Sequence, residues 1–135
     1  MSLKLELVDC LNKKEKLVYI SGKITGIEDL NIKKFLECEQ MLVKNGFKVI
    51  NPHNLTHGVN TTGWEWDDYM SICIPYVMLS NTIICLDDWQ DSKGARIEIG
   101  LAYFMKKKIL SAKNMQELDY HFELKPIHKS FLRGR

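Results

Sequence analysis

Short apolar runs alternating with longer helix-periodic stretches predict an α/β domain of three layers, a mainly parallel sheet with helices on both faces. Four runs carry the expectation: Leu17-Val18-Tyr19-Ile20, Phe47-Lys48-Val49-Ile50, Thr82-Ile83-Ile84-Cys85-Leu86 and Lys108-Ile109-Leu110. Each is strand-length, and the stretches between them are long enough for crossover helices. Leu3–Val8 alternates with period two and adds a candidate edge strand, which brings the expected sheet to about five strands.

The elements follow in order. Leu17–Ile20 leads directly into Ser21-Gly22-Lys23-Ile24-Thr25-Gly26. Asn31–Asn45 reads as a helix with Ile32, Phe35, Leu36, Leu42 and Val43 on one stripe and Gly46 as its stop. Asn51-Pro52 ends the second strand, and a polar loop runs to about Gly63. Trp66–Leu79 is helical in pattern, with Pro75 expected to kink or restart it. Lys93–Lys106 is the clearest helix, its stripe formed by Ile97, Leu101, Phe104 and Met105. Met115–Leu124 is a further helix candidate. The chain contains no internal repeat and no low-complexity segment.

With 135 residues, 45% of them hydrophobic and 27% charged, the chain has the balance of one soluble globular domain. The apolar run around Ile72–Leu79 is too short to cross a bilayer, so no membrane partner is expected. The start lacks the apolar core of a secretory signal. A net charge of +2 is too small to argue for nucleic acid. Much of the surplus lies in the tail Lys125–Arg135, which fits a solvated or loosely docked terminus better than a polyanion site.

The cysteines, Cys10, Cys38, Cys73 and Cys85, form no CxxC pair. Three stand in apolar surroundings, as reduced core cysteines do, and a cytoplasmic location is expected. His53 and His57 are four apart, but Pro52 and the loop composition argue against a helical metal pair, and no HExxH pattern exists. His121 and His128 have no identifiable partners. Neither a metal nor an organic cofactor is expected.

In a parallel sheet ligands bind beyond the carboxyl ends of the strands, which selects Ser21–Gly26, Asn51–Gly63 and Asp87–Gly94. Ser21–Gly26 has two glycines and two hydroxyls, suited either to close approach of an anionic ligand or to an ordinary strand-to-helix turn. It is neither GxGxxG nor a Walker loop. Within Asp91–Gly100, Ser92 is a plausible N-cap. Glu98 has Gly94, Ala95, Leu101 and Ala102 as helical neighbours, which turns its carboxylate toward the sheet. A carboxylate there is costly unless paired or functional, so Glu98 is either a catalytic group or a structural hydrogen-bonder. Trp64-Glu65-Trp66-Asp67-Asp68-Tyr69-Met70 opens a helix, and serves either as cap and core edge or as a base-stacking lid. No GxSxG elbow is present.

Taken together, these segments resemble the nucleoside 2-deoxyribosyltransferase superfamily, in particular its short bacterial and phage branch of deoxyribosyltransferase-like domains. The likeness runs from Tyr19-Ile20-Ser21-Gly22-Lys23-Ile24-Thr25-Gly26, similar to that branch's YISGPITG, through Val49-Ile50-Asn51-Pro52 and Trp66-Asp67-Asp68-Tyr69-Met70. It continues in Leu86-Asp87-Asp88-Trp89 and ends in Ser92–Ala102. The resemblance implies a flavodoxin-like, Rossmann-like fold and cleavage or transfer of the N-glycosidic bond of a (deoxy)nucleoside or its 5′-monophosphate. It implies Glu98 as nucleophile, with Ser21, Gly22, Lys23, Ile24, Gly26, Asn51, Trp66, Cys73, Asp88, Ser92 and Gly94 around the substrate. It implies a homo-oligomer in which a neighbouring subunit helps to close the site. One position departs: where the branch carries an Asp three residues after its Tyr-Met pair, this chain has Cys73. Asp68 or Asp67, one turn earlier, is then the candidate acid, Asp68 being the first choice. The alternative expectation is a catalytically impaired nucleotide-binding module of the same fold.

Overall fold

A computed structural model describes residues 17–120. The candidate strand Leu3–Val8, Cys10, His121, His128 and the basic tail lie outside the described residues. Strand β1 (Leu17–Ser21) is followed by a 3-10 turn at Glu28–Asn31 and helix α1 (Ile32–Lys44). Strand β2 (Lys48–Ile50), the short α2 (Pro52–Leu55) and the long α3 (Trp66–Leu79) come next. Strand β3 (Thr82–Cys85), a 3-10 turn at Trp89–Asp91, helix α4 (Lys93–Phe104) and strand β4 (Lys108–Ser111) complete the order.

The sheet is parallel throughout, in the order β2-β1-β3-β4. Tyr19 pairs with Ile50 on one side and Ile83 on the other, and Ser21, Cys85 and Ser111 are level at the carboxyl end. Among the described residues the strands number four rather than about five. Alternate strand residues face opposite ways. Val18, Ile20, Ile84, Leu86 and Leu110 pack under Phe35, Cys38 and Leu42 of α1. Tyr19, Ile83, Cys85 and Ile109 pack against Cys73 and Val77 of α3 and Ala95, Ile99 and Ala102 of α4. Helices therefore cover both faces, an α/β arrangement consistent with a flavodoxin-like fold. The connection after β1 leads outward to β2 and the one after β3 outward to β4, so a crevice opens between the carboxyl ends of β1 and β3.

Two helices turn differently from their sequence stripes. In α1 the buried positions are Phe35, Cys38 and Leu42, while Ile32, Leu36 and Val43 are exposed. Cys38 acts as the small hydrophobe that completes the i, i+3, i+7 line. In α4 the buried residues are Ala95, Glu98, Ile99, Gly100 and Ala102, whereas Ile97, Phe104 and Met105 are exposed. The helix lies close to the sheet through its small residues, which leaves the bulky ones outward. Helix α3 is continuous through Pro75. The polar loop after β2 contains α2, with Pro52 at its first turn and the Asn51 side chain accepting from the His53 amide at 3.1 Å. The stretch from Met115 to Tyr120 is not helical. It folds back on β4, with the Leu118 amide donating to the Ile109 carbonyl at 2.9 Å and an antiparallel bridge between Leu110 and Glu117.

Candidate functional site

Strand β1 ends in Ser21 and Gly22, and their surroundings explain both residues. Gly22 runs so close to β3 that a Cβ there would lie 2.7–2.9 Å from the Leu86 side chain. The next amide, Lys23, donates to Asp88 Oδ1 at 3.0 Å. Asn31 Nδ2 ties the same corner together, donating to the Lys23 carbonyl at 2.8 Å and to Asp88 Oδ2 at 2.9 Å. Asp88 thus straps the β1 loop to the β3 loop. The Asn31 side chain also anchors three successive left-handed residues, Asp29, Leu30 and Asn31 (φ 54°, 54° and 62°), a conformation costing non-glycine residues about 1–2 kcal/mol each.

Ser92 caps α4, its Oγ accepting from the Ala95 amide at 3.1 Å. One and a half turns along, Glu98 points at the sheet, only 5% exposed. Both carboxylate oxygens are held: Tyr19 Oη donates to Oε2 at 2.5 Å and Ser21 Oγ to Oε1 at 2.9 Å. Burial drives the carboxyl up to about 7, against the opposing pull of these two bonds. The same burial and the adjacent Glu98 raise the Tyr19 phenol well above its ordinary value. Beside them, burial, and then Glu98, push the Cys73 thiol up to about 11. At neutral pH Cys73 is a thiol.

Tyr19, Cys73 and Glu98 form the buried end of a cavity of about 470 Å³, within the range of small-molecule sites. Gly22, Ile24, Thr25, Ser92 and Gly94 line it from the two strand-end loops. Trp64, Trp66 and Tyr69 make an aromatic wall, and Leu30, Pro52, His53, Thr56 and Met70 are among the remaining lining residues. Trp64 packs edge-on against Tyr69 with ring centres 5.1 Å apart. Lys93 Nζ lies 4.2 Å from the centre of the Trp66 ring. Gly94 leaves space for Met70 and Trp66, whose Sδ and Nε1 would stand 3.2 and 3.5 Å from an added Cβ. His53 is edge-on to Phe35 with ring centres 4.9 Å apart, and burial lowers its pKa. Its Nε2 is buried without a hydrogen-bond partner among the described residues.

Of the residues singled out in the sequence, Glu98, Gly22, Ile24, Trp66, Cys73, Ser92 and Gly94 line this one cavity. Ser21 stands behind the wall and acts on Glu98. Lys23, Gly26, Asn51 and Asp88 do not line it; Asp88 and Asn51 shape the loops instead, and Gly26 supplies a left-handed turn (φ 83°). Asp68 is also outside the lining, and its Oδ2 accepts from the Glu65 amide at 2.8 Å in a capping box at the start of α3. The candidate acid is thereby committed to the helix end. Tyr19 and His53 went unassigned in the sequence. Tyr19 lies inside an apolar strand, where only its hydroxyl, which needs a partner once buried, distinguishes it from core. Among the described residues no cluster of three or more His, Cys, Asp or Glu is arranged to hold a metal ion.

A parallel sheet with helices on both faces makes this an α/β domain of the doubly wound class, with a buried carboxylate and an aromatic wall at its strand switch point. The chain itself belongs to the family described as a domain of unknown function, DUF4406, whose model matches residues 16–111. The match spans all four strands and the whole cavity. No curated protein matches the sequence.

Proposed function

We propose that the cavity binds a nucleoside or nucleotide and that Glu98 breaks its N-glycosidic bond. The observation that carries this reading is a carboxylate fixed by two hydroxyl donors at the buried end of an aromatic-walled cavity. When ionised, it can attack an anomeric carbon and form a glycosyl ester, which water or a second base resolves. Tyr19 and Ser21 hold the carboxylate and lower the cost of its ionised form. Trp64, Trp66 and Tyr69 offer faces to a planar base. The resemblance of the loop and helix segments to deoxyribosyltransferases supports the same chemistry.

The test is a screen of deoxynucleosides and their 5′-monophosphates for free base, with and without an acceptor base. Release that disappears in a folded Glu98→Ala variant is expected. Unchanged release in that variant overturns the assignment. Cys73, a thiol next to Glu98, favours a second reading, a module that binds nucleotide without turning it over. Ligand binding with no base release across the screen would select it.

We also infer self-association. Ile97, Tyr103, Phe104 and Met105 leave bulky apolar surface exposed along α4, beside a cavity built on a small sheet. Free, buried Cys38, Cys73 and Cys85 fit a reducing, cytoplasmic setting. No helix among the described residues is long and apolar enough to cross a membrane.

A further inference from the structure

Given that Glu98 attacks the anomeric carbon, as proposed above, the cavity also constrains the leaving base. Breaking the C1′–N bond leaves an electron pair on the base nitrogen. A neutral base then departs as an anion unless an acid protonates it, and such an acid is worth about 10²–10⁴-fold in rate. The groups around Glu98 are poor acids. Tyr19 already donates its proton to Glu98 and holds it more tightly than an ordinary phenol. The Cys73 thiol is pushed up to about 11. His53 is kept neutral by burial, and Asp68 is spent on the α3 cap.

The charge of the lining points the same way. Among the described residues no lysine or arginine lines the cavity, whereas Glu65 and Glu98 both do. Lys93 is held over the Trp66 ring. Two carboxylates in a lining that also holds Trp64, Trp66 and Tyr69 favour a planar cation.

We propose that the substrate is a nucleoside whose base carries a fixed positive charge, an N-alkylated purine or a pyridinium. Glu98 forms the C1′–O bond as the C1′–N bond breaks, and the released electron pair neutralises the cationic nitrogen. The base leaves neutral with no proton supplied. Water then attacks C1′, the glycosyl ester breaks and returns the Glu98 carboxylate, and one proton goes to solvent.

The experiment pairs 7-methylguanosine with guanosine and 7-methyl-2′-deoxyguanosine with 2′-deoxyguanosine, measuring free base with the Glu98→Gln variant as background. The methylated member of a pair is expected to react at least about 100-fold faster, and Cys73→Asp to narrow that ratio at least about 10-fold by raising the unmethylated rate. Equal rates within each pair in the unaltered protein overturn this inference and leave the glycosidic reading standing, as does an unchanged ratio in a folded Cys73→Asp. If that variant does not fold, the ratio in the unaltered protein decides alone. Release confined to unmethylated nucleosides or their monophosphates likewise overturns the inference only. No release from these or from any compound of the wider screen overturns both.

Discussion

Glu98 combines a burial cost with two hydrogen bonds, and the balance between them is measurable. Its folded pKa of about 7 exceeds the ordinary 4.5, so between those values the folded state holds a proton that the unfolded state has lost. The stability this gives is complete below about 4.5 and is lost as pH rises toward 7, a difference of about 3 kcal/mol for this group alone. Glu98→Gln, neutral throughout, should therefore gain on the unaltered protein between pH 4.5 and 8. Paired thermal melts check this, and a pH-independent gap would contradict the assigned burial. Tyr19→Phe removes a donor that lowers the Glu98 pKa. If Glu98 must be ionised to act, the rise of kcat/KM with pH, centred near 7, should move to higher pH in the variant. An unmoved midpoint would show that Tyr19 does not tune the carboxylate. The sequence made Glu98 legible because its helical neighbours were small or apolar. It hid Tyr19, because a tyrosine in an apolar strand looks like core until its partner, 79 positions away in sequence, is known.

At the scale of elements, what positions the site is the close approach of strand ends and helices. Gly22→Ala would drive a Cβ within 2.7–2.9 Å of Leu86, and the overpacking should cost about 1–3 kcal/mol in denaturant unfolding. A variant as stable as the parent would mean that β1 and β3 have slack at their carboxyl ends. Strand positions were readable because each apolar run was short and bounded by polar or glycine residues. Helix orientation was less so. The most periodic apolar stripe of α4, including Ile97, Phe104 and the following Met105, faces outward because Ala95 and Ala102 permit the close contact with the sheet. Periodicity detects an amphipathic helix, but contact distance decides which face goes in, and that depends on side-chain size. Asp68 shows the same limit: one turn from the right place in sequence, it belongs to a capping box that only the backbone path reveals.

At the scale of the molecule, one sheet of four strands among the described residues carries both the core and the cavity. The outward apolar residues of α4 predict self-association, which sedimentation should show as a species larger than the monomer and Ile97→Glu should reduce. A strictly monomeric protein at all concentrations would count against that inference. Whether Glu98 is the attacking group is decided by rapid quenching during turnover followed by mass measurement of the protein. A glycosyl unit on the peptide containing Glu98 is expected, absent in Glu98→Gln, with turnover in that variant reduced at least about a thousandfold. Turnover at the parent rate in folded Glu98→Gln, with no sugar on the protein, would contradict the account.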